Sequence, residues 1–218
     1  TYTHDAAGRL AEVKRHGRTL ARYTYNHRHQ RTRRDRPGPR RDVVFHYDLE
    51  GRLIAETQNT GVLIRAYVYD DEAPIAQVTK GATDTLVHLH PDPLGTPRIA
   101  TDAARSTVWR YDGNAFGQTL PNEDPDGNAK KTTVHLRFPG QYYDAETKLH
   151  YNWNRYYDPR IGRYVTSDPI GLEGGLNTYA YVDNMPNYYV DPDGLGKQPG
   201  QQPGRSRQGG GLLTGPSH

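Results

Sequence analysis

An aspartate, and once an asparagine, recurs about every 20 to 22 residues along the first half of the chain, in His4-Asp5, Tyr25-Asn26, Tyr47-Asp48, Tyr69-Asp70, Pro91-Asp92 and Tyr111-Asp112. A period of that length is too short for a domain and too long for one element, so each unit must be a supersecondary structure that stacks on its neighbours. Before several of the aspartates the residues alternate, Val44 and His46 against Phe45 and Tyr47, Tyr67 and Tyr69 against Val68 and Asp70. Alternation with period two marks strands. Turn formers and a second short run follow, Gly51 to Ala55 in one unit and Gly95 to Ala100 in another. Strand, turn and return strand make a β-hairpin. One hairpin cannot bury its own face, so the units are expected to line up as a long antiparallel sheet, curved into a wall or partial shell.

Composition agrees with this reading. Only 33% of the 218 residues are hydrophobic, which often signals disorder, but 17 tyrosines can bury large flat areas while keeping a hydroxyl in water. With 23 glycines and 16 prolines available for turns, the chain reads as an ordered all-β protein. The absence of cysteine excludes disulfides, thiolate nucleophiles and cysteine-ligated zinc or iron–sulfur centres, and leaves the cellular compartment open. No apolar run approaches the roughly 18 residues of a membrane helix. The chain opens at Thr1 with neither a start methionine nor a signal-like stretch, which reads as a fragment boundary. No cofactor or metal is expected.

The unit Tyr-Asp-x-x-Gly-Arg-Leu, complete at Tyr47 to Leu53 and approximate at His4 to Leu10, resembles the YD repeat of Rhs proteins. The block GQYYDAETKLHYNWNRYYDPRIGRYVTSDPIGLEGG, with NTYAYVDNMPNYYVDPDGL after it, is similar over its whole length to the Rhs-repeat-associated core domain. Departures are local: Asn26-His27-Arg28-His29 replaces Asp-x-x-Gly, the fourth unit lacks Gly-Arg-Leu, and 121–131 interrupts the repeat. They bear on register. The resemblance implies a YD-repeat sheet over 1–120, a loop insertion at 121–131 and a core domain acting as a plug over 132–195. Beyond it, 196–218 is rich in Gly, Gln and Pro and cannot bury enough surface to fold, so it is expected to be a disordered tail.

Rhs proteins are similar to toxin-complex C subunits and to teneurins in winding YD repeats into a hollow β-shell. The resemblance implies a parent protein that holds and releases a C-terminal toxin, secreted or delivered by a bacterial secretion system. Its partners would be the remainder of the shell, the toxin and a secretion-system component. With about six units, the chain reads as the C-terminal end of such a shell or as a truncated copy. The resemblance also implies cleavage in cis after the core by an aspartyl-type site, which is at most the one enzymatic activity expected. Asp168 and Asp191, from the two late Asp-Pro-x-Gly turns, become the candidate catalytic carboxylates, Asp193 an assistant, and Leu195-Gly196 the bond to be cut. Such chemistry needs two carboxylates close enough to share a proton, so that one pKa rises while the other group stays ionised to activate water. The bland alternative is that Asp-Pro-x-Gly is simply a favoured type I turn. Asp92-Pro93-Leu94-Gly95 and Asp124-Pro125-Asp126-Gly127 carry the same signature with no catalytic role suggested.

Other signals read as structure. The arginine run from Arg28 to Arg41 is a solvated hairpin loop around Pro37, Gly38 and Pro39, and with a net charge of only +3 nucleic acid is an unlikely partner. His27 with His29 and His88 with His90 are spaced to share a strand face, but no third ligand follows and both pairs read as surface histidines. No Gly-x-Ser-x-Gly context offers a nucleophile, and Gly171, Gly174 and Gly175 do not make a phosphate cradle. The tyrosine ladder of Tyr142, Tyr143, Tyr151, Trp153, Tyr156, Tyr157 and Tyr164 reads as core packing. Stacking of sugars on those rings would instead make the chain a cell-surface adhesion or carbohydrate-binding module, and a non-functional remnant is a third alternative. Residues Asn177 to Asp183 are expected to form a short helix or turn before a loop that brings the second acidic turn back towards the first.

Overall fold

A computed structural model of the chain describes residues 1–38 and 42–200. Its strands are β1 (Tyr2–His4), β2 (Leu10–Arg15), β3 (Arg18–Tyr25), β4 (Arg31–Asp35), β5 (Val43–Tyr47), β6 (Leu53–Thr57), β7 (Leu63–Asp70), β8 (Ala73–Thr79), β9 (Thr85–Pro91), β10 (Pro97–Thr101), β11 (Thr107–Arg110), β12 (Tyr142–Asp144), β13 (Leu149–Asn152), β14 (Arg155–Asp158), β15 (Arg163–Tyr164), β16 (Tyr189–Val190) and β17 (Gln198–Pro199). The first eleven form one sheet in strict chain order, β12 to β15 form a second, and β16 pairs with β17. All pairings are antiparallel, as hairpin units joined end to end require. Among the described residues no helix is long and apolar enough to cross a membrane.

The repeat residues have distinct tasks at the hairpin ends. Asp48 Oδ1 accepts the Arg52 N–H at 2.8 Å, and the Asp48 N–H donates to the Arg52 carbonyl. Gly51 donates to the Asp48 carbonyl with φ at 91°, and the extra residue of this loop shifts the register between His46 and Tyr47. Asp5, Asp92 and Asp102 close their turns in the same way. At Asn26 the amide oxygen takes the place of the carboxylate and His29 occupies the left-handed position at φ 62°, so this departure preserves the loop. The fourth unit differs: Asp70 pairs with Ala73 across a two-residue turn in which Asp71 has φ 51°.

Tyrosine and arginine link one strand to the next. The hydroxyls of Tyr25, Tyr47 and Tyr69 donate to the carbonyls of Leu10, Arg31 and Leu53 at 2.7, 2.9 and 3.1 Å. Arg9 and Arg52 pair with their own turn aspartates and lie over Tyr25 and Tyr69 of the following unit.

One face of the long sheet packs on the four-stranded sheet. Leu10, Val13, Tyr23, Phe45, Tyr67 and Leu89 share a core with Tyr142, Leu149, Tyr151 and Tyr156. Tyr23 meets Tyr156 with ring centroids 5.5 Å apart, and Phe45 meets Tyr142 edge-on at 5.3 Å. Five of the ladder rings, Tyr142, Tyr151, Tyr156, Tyr157 and Tyr164, are thus buried and supply the area that scarce aliphatic residues do not.

The arginine run is not the solvated loop expected. Arg31 is fully buried and Arg34 nearly so, and both pair with Asp144 on β12, Arg31 Nη2 to Oδ1 at 3.0 Å and Arg34 Nη1 to Oδ1 at 2.8 Å. The Arg31 guanidinium lies 4.3 Å from the Tyr151 ring centroid and 4.6 Å from that of Phe45. β4, RTRRD, has no apolar residue for its inward positions, so it carries charge into the core and takes its counterion from the second sheet. The tip of the run, 39–41, lies outside the described residues. Of the expected tail, Gln198–Pro199 pairs with Tyr189–Val190 and is not disordered, and 201–218 lies outside the described residues.

Candidate functional site

β14 buries all four of its residues, and its arginine has to be neutralised from within. The two late acidic turns supply the charge. Arg155 Nη2 lies 2.9 Å from Asp168 Oδ2 and 3.1 Å from Asp191 Oδ2. The rest of the guanidinium is spent on the same segments, Nε on the Gly194 carbonyl at 2.5 Å and Nη1 on the Thr178 carbonyl at 3.1 Å. The two carboxylates therefore come together, but across a guanidinium nitrogen rather than on a shared proton. Opposite charge between them offsets the repulsion that a buried carboxylate pair would otherwise suffer.

A second chain of contacts fixes Asp191. Asn152 Nδ2 donates to the Tyr164 hydroxyl at 2.6 Å and to the Asp191 carbonyl at 2.9 Å, while Tyr164 donates to Asp191 Oδ2 at 2.6 Å. The Arg155 guanidinium also stacks on the Tyr164 ring, 3.7 Å from its centroid. Burial pushes the Asp191 carboxyl up to about 6, against the downward pull of Tyr164 and Arg155.

The bond between Leu195 and Gly196 lies between the acidic groups. Asp191 Oδ1 accepts the Leu195 N–H at 3.1 Å and the Gly196 N–H at 3.2 Å. Asp193 Oδ1 shares the Leu195 N–H at 3.1 Å. A methyl group built on Gly174 would collide with the Asp168 carboxylate and stand 3.1 Å from the Leu195 carbonyl oxygen. Asp168 and that carbonyl therefore border one small space, which a glycine at 174 leaves open. Gly140 makes similar room, since a side chain there would strike the Pro192 carbonyl. One carboxylate is thus placed beside the carbonyl of a peptide bond and the other on its nitrogen.

The two earlier Asp-Pro-x-Gly turns provide a contrast. Asp92 caps the Leu94 and Thr96 N–H groups and pairs with Arg98 at the sheet rim, and Asp124 accepts from Ala129 at 3.2 Å. Neither pairs with a second carboxylate. The motif makes the turn, and burial around Arg155 makes the site. Arg155 and Asn152 were not singled out from sequence, and Tyr164 and Gly174 were read only as core packing and as no phosphate cradle. The one available signal was an arginine inside a tyrosine-rich strand with two acidic turns downstream to neutralise it.

Elsewhere, His90 Nε2 lies 2.9 Å from Thr101 Oγ1 on the exposed side of β9, and among the described residues no three metal-binding side chains converge. The stretch before the second acidic turn holds a 3-10 turn, Gly171–Gly174, and a left-handed turn, Val182–Asn184.

The family model described as the teneurin YD-shell matches residues 1–189, which takes in Asp168 and stops short of Asp191. The chain is 38% identical over 161 residues to double-stranded DNA deaminase toxin A of Burkholderia cenocepacia, a match covering 66% of this chain and 11% of that protein. It is 41% identical over 111 residues to the probable deoxyribonuclease RhsA of Dickeya dadantii, covering 50% of this chain and 7% of the relative. Among solved structures it is similar in fold to the Photorhabdus luminescens Tc holotoxin pore, with a TM-score of 0.67, 22% identity, and coverage of 90% of this chain and 10% of that one. The chain spans about a tenth of these longer proteins.

Proposed function

Because this chain belongs to the YD-shell family of Rhs-type repeat proteins, we propose that it is a wall and plug segment of a β-shell that encloses a C-terminal toxin, and that its core cuts its own chain after Leu195. The enclosing role draws support from relatives that are named as toxins, and on this reading the parent protein is delivered out of the producing cell. The cleavage role rests on one observation: Asp168 and Asp191, joined by Arg155, flank the Leu195–Gly196 bond.

In this reading Asp168 takes a proton from water as the water oxygen bonds to the Leu195 carbonyl carbon. Asp191 gives its proton to the Gly196 nitrogen as the carbon–nitrogen bond breaks. The products are a carboxylic acid at Leu195 and an amine at Gly196. Arg155 is a positioning residue that fixes both carboxylates, and Tyr164 does the same for Asp191. Tyr142, Tyr151, Tyr156, Tyr157 and Tyr164 of the ladder are buried, and no specific observation favours the sugar-binding reading.

Intact mass of the refolded chain tests the reading. A species ending at Leu195 is expected from the wild type, and Asp168→Asn or Asp191→Asn should lower its rate of formation by at least about a hundredfold. A wild-type chain that keeps its full mass while giving a cooperative thermal transition overturns it.

A further inference from the structure

Among the five residues after the proposed cut the ring of Pro199 is the one apolar side chain, yet each residue is held by the core. The Gly196 N–H donates to Asp191 Oδ1, and Lys197 pairs with Asp183 while its ammonium lies 5.3 Å over the Tyr189 ring. Gln198 and Pro199 run antiparallel to Val190 and Tyr189, and the Gly200 N–H donates to the Tyr188 carbonyl at 3.1 Å. That last bond sets the alternation. Pro199 falls opposite Tyr189, where no ladder bond is exchanged, so its missing N–H costs nothing.

The acceptor side is built at some expense. Val182, Asp183 and Asn184 have φ of 43, 53 and 61°, three successive left-handed residues of which the first is β-branched. Asp183, at the middle of this turn, is the residue that Lys197 reaches.

Resting on the cleavage reading, we propose that Gly196–Gly200 is a recognition segment, laid as a strand along Tyr188–Val190 with a cation at position 197 seated between Asp183 and Tyr189. Extended peptide is commonly captured in this way, with main-chain bonds giving attachment and a side-chain pocket giving selectivity. Attack on an amide requires its carbonyl and nitrogen to be held within a fraction of an ångström of the catalytic groups. The turn Asp191–Leu195 fixes the amino side of the bond. The carboxyl side begins with glycine, free to pivot unless the strand beyond it is docked. Whatever the core releases would therefore carry Gly-Lys-Gln-Pro-Gly as its leading sequence, and cleavage would select for it.

The test is a time course of self-cleavage by intact mass after refolding from denaturant, with thermal melting of each variant as a check on folding. Lys197→Glu should slow formation of the species ending at Leu195 by about fivefold or more, the scale of an ion pair turned into a repulsion. Lys197→Arg should retain the wild-type rate, and the exchange Asp183→Lys with Lys197→Asp should restore most of it. Gly200→Pro, which removes the N–H given to Tyr188, should slow cleavage about tenfold. Cleavage by the wild type with Lys197→Glu and Gly200→Pro proceeding at the same rate overturns the recognition segment alone. An intact wild-type chain overturns the cleavage reading as well.

Discussion

Asp191 is held by four donors and still has its carboxyl raised to about 6 by burial, so its proton can be followed in two ways. In the unfolded chain its pKa returns to the ordinary 3.8 of an aspartate. Between those values the folded state binds the proton that the unfolded state has lost. Its contribution to stability is therefore complete below about pH 4 and is lost as pH rises through about 6, a change on the order of 3 kcal/mol. Urea unfolding of Asp168→Asn, which on the proposed mechanism cleaves too slowly to interfere, should show this loss between pH 4 and 7, and the same variant carrying Asp191→Asn should not. A pH dependence shared by both would remove Asp191 as the source. The second readout is the rate of cleavage, which should fall above about pH 6 as the acid becomes ionised.

At the scale of the hairpin, the repeat motif is a set of bonds rather than a signature. Tyr47 ties its strand to the Arg31 carbonyl, Asp48 closes the turn, and Arg52 reaches over the next tyrosine. Tyr47→Phe removes one hydrogen bond and leaves a carbonyl unsatisfied, which should cost about 1–2 kcal/mol in urea unfolding. Gly51→Ala should cost more, upwards of about 2 kcal/mol, because the position has φ 91° and its Cβ would strike the Trp153 ring of the core. Equal effects for the two substitutions would mean that Gly51 matters only as a turn residue and not as a seat for the core. Asn26 and His29 show why the motif tolerates departures: the turn needs an oxygen cap and one left-handed residue, and both conditions can be met without Asp or Gly.

In the whole molecule the long sheet ends differently on its two sides. The outer strand β11 is capped, with Arg110 and Asn122 exchanging both backbone bonds at 2.9 and 2.8 Å. β1 has three exposed residues. Thr1 and Lys14 exchange bonds, so the alternation leaves the Tyr2 N–H and carbonyl facing away from β2. Such a row accepts a further strand, which suits a sheet built by adding repeats.

Local chemistry determined most of the architecture. The 20- to 22-residue recurrence of aspartate, the alternation before it and the glycines after it specify hairpins in chain order, because a turn and its two flanking strands are encoded within a dozen or so residues. The two late acidic turns were legible for the same reason, and so was the burial of most of the tyrosine ladder. Contacts across a hundred residues were not. The pairing of Arg31 and Arg34 with Asp144 turned an apparent surface loop into the centre of the core, and no periodicity reports a counterion that distant. Arg155 was hidden for a different reason, since its partners lie closer in the chain but are chosen by burial. The sequence contains four Asp-Pro-x-Gly turns of one signature, and packing against a buried guanidinium, with Gly174 left open beside the Leu195 carbonyl, is what sets the two late ones around one peptide bond.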